Sequence, residues 1–326
     1  MTDRRGASVS EYEAPLFLAW QLTNRCTARC LHCCEESGPD KAWKAELSRE
    51  EALSLARQAV KLSIPYAAFG GGEPLGVPHV WEIFDILHAG GTRLKIETNG
   101  LLIDDAAAER LSGYAEPCVQ ISLDGASPAV HESVRPGGDF RGVLCAVDAL
   151  VRRGIKPELV FVPTRRNLAD APAVYQAAVR MGARAFVTGP MMRLGRAAEE
   201  YELLAPSAEE WFLCVSALKA LHQKLGEPIA LSIYPWDIAE ECRVRLQSPQ
   251  AMMLVVPDGK VKLLNALPFA CADLREQSLK EAWQAYRKAW KHPAVAEFIA
   301  RIPKDLSLLK HANETWPPES WSERAA

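Results

Sequence analysis

From Leu16 to Gly189, short apolar runs alternate with longer amphipathic ones. The short runs have strand length: Leu16–Leu22, Tyr66–Gly70, Arg93–Thr98, Cys118–Leu123, Lys156–Phe161 and Ala185–Thr188. The segments between them carry helical periodicity, at Ser48–Leu62, Val80–Ala89, Asp104–Leu111, Phe140–Arg153 and Asn167–Met181. Ser48 with Glu51 forms a capping box, and Gly90 and Gly154 stand where a helix should stop. Strands alternating with helices predict a parallel sheet, either open and doubly wound or closed into a full or partial β/α barrel. In the third strand Leu94 and Ile96 oppose Lys95 and Glu97; in the fourth, Val119, Ile121 and Leu123 oppose Gln120, Ser122 and Asp124. A doubly wound sheet has helices on both faces and strands apolar throughout. A polar inner face predicts instead a barrel open enough to hold a polar ligand.

After Gly189 the rhythm changes. Ser207 and Glu210 cap a helix running to about Leu225, and Ile229–Tyr234 reads as a strand. Met253–Val256 and Lys260–Leu264 flank the hairpin signal Pro257-Asp258-Gly259. Ser278 and Glu281 start another helix, Pro293–Ala300 reads as one more, and Asn313–Ala326 has no clear period.

Composition narrows the function. Of 326 residues, 38 Lys+Arg against 41 Asp+Glu give a net charge of −3, which excludes a strongly basic nucleic-acid binder. No apolar run approaches the ~18 residues of a membrane span, and Met1–Pro15 lacks the apolar core of a signal peptide. The expected location is the cytoplasm. Four of the nine cysteines, Cys26, Cys30, Cys33 and Cys34, lie within nine residues. A disulfide framework spreads its cysteines, so a tight cluster in this compartment points to a metal.

The spacing after the first strand is C-x3-C-x2-C. Zinc prefers two C-x2-C pairs, and no second pair exists, although His32 would complete four donors. Three thiolates on one loop can hold three irons of a [4Fe–4S] cube and leave the fourth open to a small ligand. A non-catalytic zinc or iron–sulfur sensor would use the same cysteines.

Leu16 to Gly195 resembles the radical S-adenosylmethionine (SAM) family. It carries that cysteine loop, Gly71-Gly72-Glu73-Pro74, Glu97-Thr98-Asn99-Gly100 and Ser122-Leu123-Asp124-Gly125, in the family's order. The resemblance implies a partial (β/α)6 TIM-like barrel over residues 14–196 with a small α+β extension over 197–312 and a tail over 313–326. It implies that Cys26, Cys30 and Cys33 ligate one [4Fe–4S] cluster, with Cys34 as the rival in the other register. Gly71, Gly72 and Glu73 would meet the SAM ammonium, and Asn99, Ser122 and Asp124 its ribose or carboxylate. His32, where the family commonly has an aromatic residue, would stack on adenine, and Leu194 would join the cofactor site. An electron donor such as flavodoxin or ferredoxin is the implied partner.

Val256–Val261 and Asp273–Trp283 are similar to the extension of the SPASM/twitch subgroup, whose auxiliary-cluster cysteines are largely missing here. Lys262-Leu263-Leu264 stands where a cysteine often follows the hairpin, and only Cys271 remains before Arg275-Glu276-Gln277-Ser278-Leu279. Without a second cluster to accept an electron, a redox-neutral outcome is expected, such as decarboxylation or epimerisation. Cys271 then reads either as a thiol returning a hydrogen atom or as a buried small hydrophobe. Lys95 and Glu97, with Gln120, would suit a small polar substrate: a sugar, nucleoside or amino acid derivative, as in antibiotic tailoring pathways. Peptide modification is the alternative, lowered by the lack of a separate amino-terminal leader-binding domain. Arg193 and Arg196 read as carboxylate contacts or as solvated loop charges.

Overall fold

The computed structural model describes residues 9–325 of the chain. Ten strands form one sheet, β1 (Phe17–Thr23), β2 (Tyr66–Gly71), β3 (Arg93–Thr98), β4 (Cys118–Ser122), β5 (Glu158–Phe161), β6 (Ala185–Thr188), β7 (Ala230–Ile233), β8 (Met252–Val255), β9 (Lys260–Lys262) and β10 (Ala270–Asp273). The spatial order is β10-β9-β8-β1-β2-β3-β4-β5-β6-β7. Strands β1 to β6 pair in parallel with their chain neighbours, as the alternating pattern predicts.

Alternation of burial along each strand shows which face meets the helices. Leu18, Trp20, Ile96, Val119, Ile121, Leu159 and Phe186 are buried against the helical layer. Gln21, Lys95, Glu97, Gln120, Ser122 and Glu158 stay partly or well exposed on the other face. The polar inner face is real, and it faces an open lumen. Lys95 Nζ pairs there with Glu97 Oε1 at 3.2 Å.

The residues after Gly189 complete this same sheet. β7 adds in parallel to β6, and β8 adds in parallel to β1 before the β8–β9 hairpin and β10 turn back antiparallel. Strand β10 and the helices Pro128–Val134 and Ile238–Gln247 carry no strong periodic signal in the sequence. The tail is anchored despite its irregular pattern: Trp316 bridges to Phe269, and Trp321 packs on Phe269 edge to face.

Candidate active site

The loop leaving β1 and the carboxy-terminal ends of β2, β3 and β4 enclose a cavity of about 290 Å³. Cys26, Cys30, Cys33 and Cys34 line it, with His32, Gly71, Gly72, Glu73, Glu97, Asn99 and Ser122. The ends of parallel strands are where such folds gather functional loops. The family-like motifs, spread over a hundred residues of sequence, therefore converge on one place.

Each cysteine of the triad has its own partner. Asn99 Nδ2 approaches Cys26 Sγ at 3.7 Å, Arg135 Nη1 donates to Cys30 Sγ at 3.3 Å, and the Ser37 amide donates to Cys33 Sγ at 3.3 Å. Cys34 differs, since its thiol faces the His32 carbonyl at 4.0 Å as a donor. The triad sulfurs are therefore placed as acceptors, the arrangement a thiolate ligand requires. Burial is the main reason the Cys26 thiol is raised and the Cys33 thiol is pushed up to about 12; Glu73 adds to the first and Glu35 to the second. Iron must displace those protons on loading.

The glycines of Gly71-Gly72-Glu73 serve chain packing. A Cβ on Gly72 would lie 2.0 Å from the Arg25 carbonyl oxygen, and one on Gly71, at φ +98°, 2.5 Å from that of Thr23. Their absence of side chains lets this loop run against the cysteine loop, sealed by Gly72 N–H to Thr23 O at 2.6 Å and Glu73 N–H to Arg25 O at 2.9 Å. Glu73, 2% exposed, accepts from Thr98 Oγ1, Leu75 N and the Asn99 amide at 2.8, 3.2 and 3.0 Å. Burial raises its carboxyl, with these hydrogen bonds opposing. Asn99 in turn donates to Thr27 Oγ1 at 3.0 Å, so the carboxylate positions the residue that steadies the cysteine loop.

Three sequence candidates sit outside the cavity lining. Asp124 lies beneath the cavity, fully buried, with its carboxylate taken by Arg135 Nε at 2.5 Å, His32 Nε2 at 3.2 Å and the Val162 amide at 2.7 Å. Burial alone would raise it, but Arg135 and then His32 hold it well below the usual carboxylate range. Its carboxylate is fully engaged by these neighbours. Leu194 is a fully buried core residue outside the cavity lining. Cys271 is likewise buried, its Sγ 3.3 Å from the Val261 carbonyl, so a hydrogen-atom donor role finds no path to the cavity.

His32 is buried on Asp124 while its Nδ1 has no partner. The residue lines the cavity, with that nitrogen buried and unpartnered. Arg193 pairs with Glu202 at 2.8 Å. Arg196 braces the cysteine loop, donating to the carbonyls of Cys30, Ser37 and Glu36 at 2.6, 2.8 and 3.0 Å.

Sequence reasoning missed Arg135 and Glu35. Glu35 enters the cavity held by Asn265 Nδ2 at 3.1 Å and Gln21 Nε2 at 3.3 Å, and burial pushes its carboxyl up to about 7. Behind it the buried Lys262 donates to the carbonyls of Asn265 and Ala312. Glu35 adjoins the cysteines in sequence, but its partners come from β1 and from beyond β9. Among the described residues no three His, Cys, Asp or Glu side chains are placed to hold a single metal ion. Three acceptor sulfurs on one loop, an orphaned imidazole nitrogen and the glycine-packed wall fit a cluster with a small polar ligand beside it.

Residues 20–166 match the model of the radical SAM superfamily. The chain is 34% identical over 199 residues to the mycofactocin maturase MftC of Mycobacterium ulcerans, covering 61% of this chain and 53% of that protein. It is 26% identical over 294 residues to the AdoMet-dependent heme synthase of Methanosarcina barkeri, covering 83% and 82%. The chain spans about half the length of the maturases it matches. Among solved structures it resembles SuiB of Streptococcus suis, bound to SAM (TM-score 0.69, 13% identity, 83% of this chain and 66% of that one) and bound to precursor peptide SuiA (TM-score 0.70, 12%, 83% and 65%). At that identity the likeness is one of fold.

Proposed function

We propose that the chain is a radical SAM enzyme with a [4Fe–4S] cluster and SAM as cofactors, a reading supported by the match of residues 20–166 to that superfamily, and we propose which residues do the work and on what substrate. Cys26, Cys30 and Cys33 hold the cluster, with SAM against Asn99, Ser122, His32 Nδ1 and the Glu73 loop. Bound there, the pair supplies a 5′-deoxyadenosyl radical by one-electron cleavage of SAM. Residues 14–196 form the catalytic unit, 197–312 the extension and 313–326 the tail. The observation that carries the reading is the single cavity uniting the cysteine loop with the ends of β2, β3 and β4.

The substrate is a small polar molecule, and the step is redox-neutral, of lyase or isomerase type. Glu97 and Gln120 on the cavity wall, with Lys95 below them, support a polar substrate. The three extension cysteines are all buried, Cys214 and Cys242 on separate helices and Cys271 in β10, which supports a reaction with no second cluster to take an electron. Reconstitution under anaerobic conditions tests both parts. With dithionite and SAM, 5′-deoxyadenosine should form above a control lacking the three cysteines. Iron should reach ~4 per chain, one cluster's worth, and ~8 would overturn the redox-neutral reading. Deuterated sugars, nucleosides and amino acid derivatives identify the substrate by which label enters 5′-deoxyadenosine.

A peptide substrate is the second reading, supported by the maturase similarity and by the SuiB–SuiA complex. Label transfer from a deuterated peptide, with none from the small molecules, would select it.

A further inference from the structure

Two carboxylates of the inner cavity flank a glycine. Gln21 Nε2 and Asn265 Nδ2 both donate to Glu35 Oε1, at 3.3 and 3.1 Å, and no side-chain donor meets Oε2 among the described residues. Gln21 pairs in register with Gly70 on β2, and the register that sets Phe69 opposite Ile96 puts Gly70 beside Glu97 on β3. Glu97 Oε2 lies 3.2 Å from where a Cβ on Gly70 would stand, while its Oε1 pairs with Lys95. Glu35, Gly70 and Glu97 all line the cavity, so the missing side chain at Gly70 leaves bare floor between the two acids.

The other charges of the cavity are already engaged. Glu73 accepts three hydrogen bonds, from Thr98, Leu75 and Asn99. Arg135 is the one Arg or Lys in the lining among the described residues, and Asp124 and Cys30 take its guanidinium. Two lysines stand behind the wall. Lys95 is bound to Glu97, and the buried Lys262 donates to the carbonyls of Asn265 and Ala312. Beside Glu97 on β4, Gln120 also lines the cavity and makes no side-chain hydrogen bond among the described residues. What is left uncommitted is two carboxylate oxygens with an amide next to them, and no cation to meet them.

We infer that the substrate carries an amino group, and that its ammonium sits over Gly70 between Glu35 Oε2 and Glu97 Oε2. An ammonium has three donors and no acceptor, which matches a wall of free acceptors, and each hydrogen bond to a carboxylate is charge-assisted. Glu35 and Glu97 are then the specificity-determining residues. Asn265 is a positioning residue: it reaches Glu35 from beyond β9, so the extension shapes the substrate wall through a side-chain amide. Because the site is partly closed to water, an uncharged group in the same place would leave the acids without a counter-charge. This inference rests on the function proposed above and narrows its substrate class to amines.

The test titrates matched pairs of probes into the cluster-loaded chain with SAM, by calorimetry. The pairs are glucosamine and N-acetylglucosamine, 3′-amino-3′-deoxyadenosine and adenosine, and Nα-acetyllysine and its Nε-acetylated form. In at least one pair the amine should bind roughly 10-fold or more tighter than its uncharged partner. Glu35→Gln should abolish that preference, Asn265→Ala should narrow it, and Glu35→Asp should retain part of it. Gly70→Ala should weaken the amine roughly 10-fold by crowding, with both acids still present. Iron at ~4 per chain and an unchanged Tm identify the folded variants, and Gly70→Ala decides if Glu35→Gln loses its cluster. Binding of no amine, equal binding within every pair, or a preference that survives in Glu35→Gln would overturn the ammonium seat. So would a loss of SAM affinity in Glu35→Gln as large as the loss of amine affinity. Failure of dithionite-driven SAM cleavage in the unaltered chain would instead sink the proposed function, and the binding titration reads independently of it.

Discussion

One guanidinium joins a cysteine of the triad to the segment after β4: Arg135 donates from Nη1 to Cys30 Sγ at 3.3 Å and from Nε to Asp124 Oδ2 at 2.5 Å. A cationic donor on a thiolate ligand stabilises the more negative, reduced form of the cluster. Arg135→Met should therefore keep its iron but lower the cluster midpoint potential by roughly 50 mV, since 59 mV is a tenfold change for one electron. Redox titration followed by electron paramagnetic resonance checks it. An unchanged potential would assign Arg135 to packing alone.

Cys33 accepts the Ser37 amide, whereas Cys34 faces a carbonyl as a donor. Cys33→Ala should lose the cluster, and Cys34→Ala should retain ~4 irons per chain. Iron and sulfide analysis after reconstitution decides it, and the reverse pattern would move the ligand to Cys34.

Gly72 and Gly76 share a loop but not a constraint. A Cβ on Gly72 would meet backbone at 2.0 Å, while one on Gly76 meets only the Leu102 side chain at 3.7 Å. Gly72→Ala should cost about 3 kcal/mol or more in urea unfolding, and Gly76→Ala should stay within about 1 kcal/mol. Comparable losses would show that the close approach is not what requires glycine.

The buried His131 accepts the Asp124 amide at Nδ1 (3.1 Å), and burial, then Arg135, brings its imidazole down to about 4. Its folded pKa lies below the ~6.5 of an unfolded histidine, so between those values the unfolded chain binds the extra proton. Stability should fall as pH drops from about 6.5 to 4. Urea unfolding of the iron-free chain across that range should show a shallower fall in His131→Gln; identical slopes would remove His131 as the cause.

Trp316 is buried against Phe269 and Phe298 in the tail. Trp316→Ala should cost about 3–5 kcal/mol, as for a large buried aromatic. Calorimetry showing no change in Tm would mean the tail does not contribute to the core.

Local pattern reached far into this protein. Strands β3 and β6 have the bounds that the apolar runs predict, and the capping boxes at Ser48, Ser207 and Ser278 all form. The alternation of Lys95 and Glu97 with Leu94 and Ile96 identified the open face correctly, because a strand's two faces alternate by geometry. Motif spacing located the cysteine loop and Glu73 for a similar reason, since each motif is a short run of adjacent residues at the end of one strand. What the sequence left open depended on partners that meet only in the fold. Asp124 looked free for a ligand because Arg135 and His32, which take its carboxylate, meet it only in the fold. Cys271 read either as a hydrogen-atom donor or as a buried small hydrophobe, and the fold buries it in β10.

The sequence by itself determined the alternating elements, the polar lumen and the chemistry of the cysteine loop, all properties of residues near one another in the chain. Only the tertiary structure decided that β8 closes onto β1 so that the extension shares the barrel's sheet. It also decided that Asn265 and Gln21 present Glu35 to the cavity, and that Asn313 ties the tail to the Cys34 carbonyl at 2.9 Å. Contacts across more than two hundred residues leave no spacing or period behind. They exist only once burial of the two apolar faces has brought those segments together.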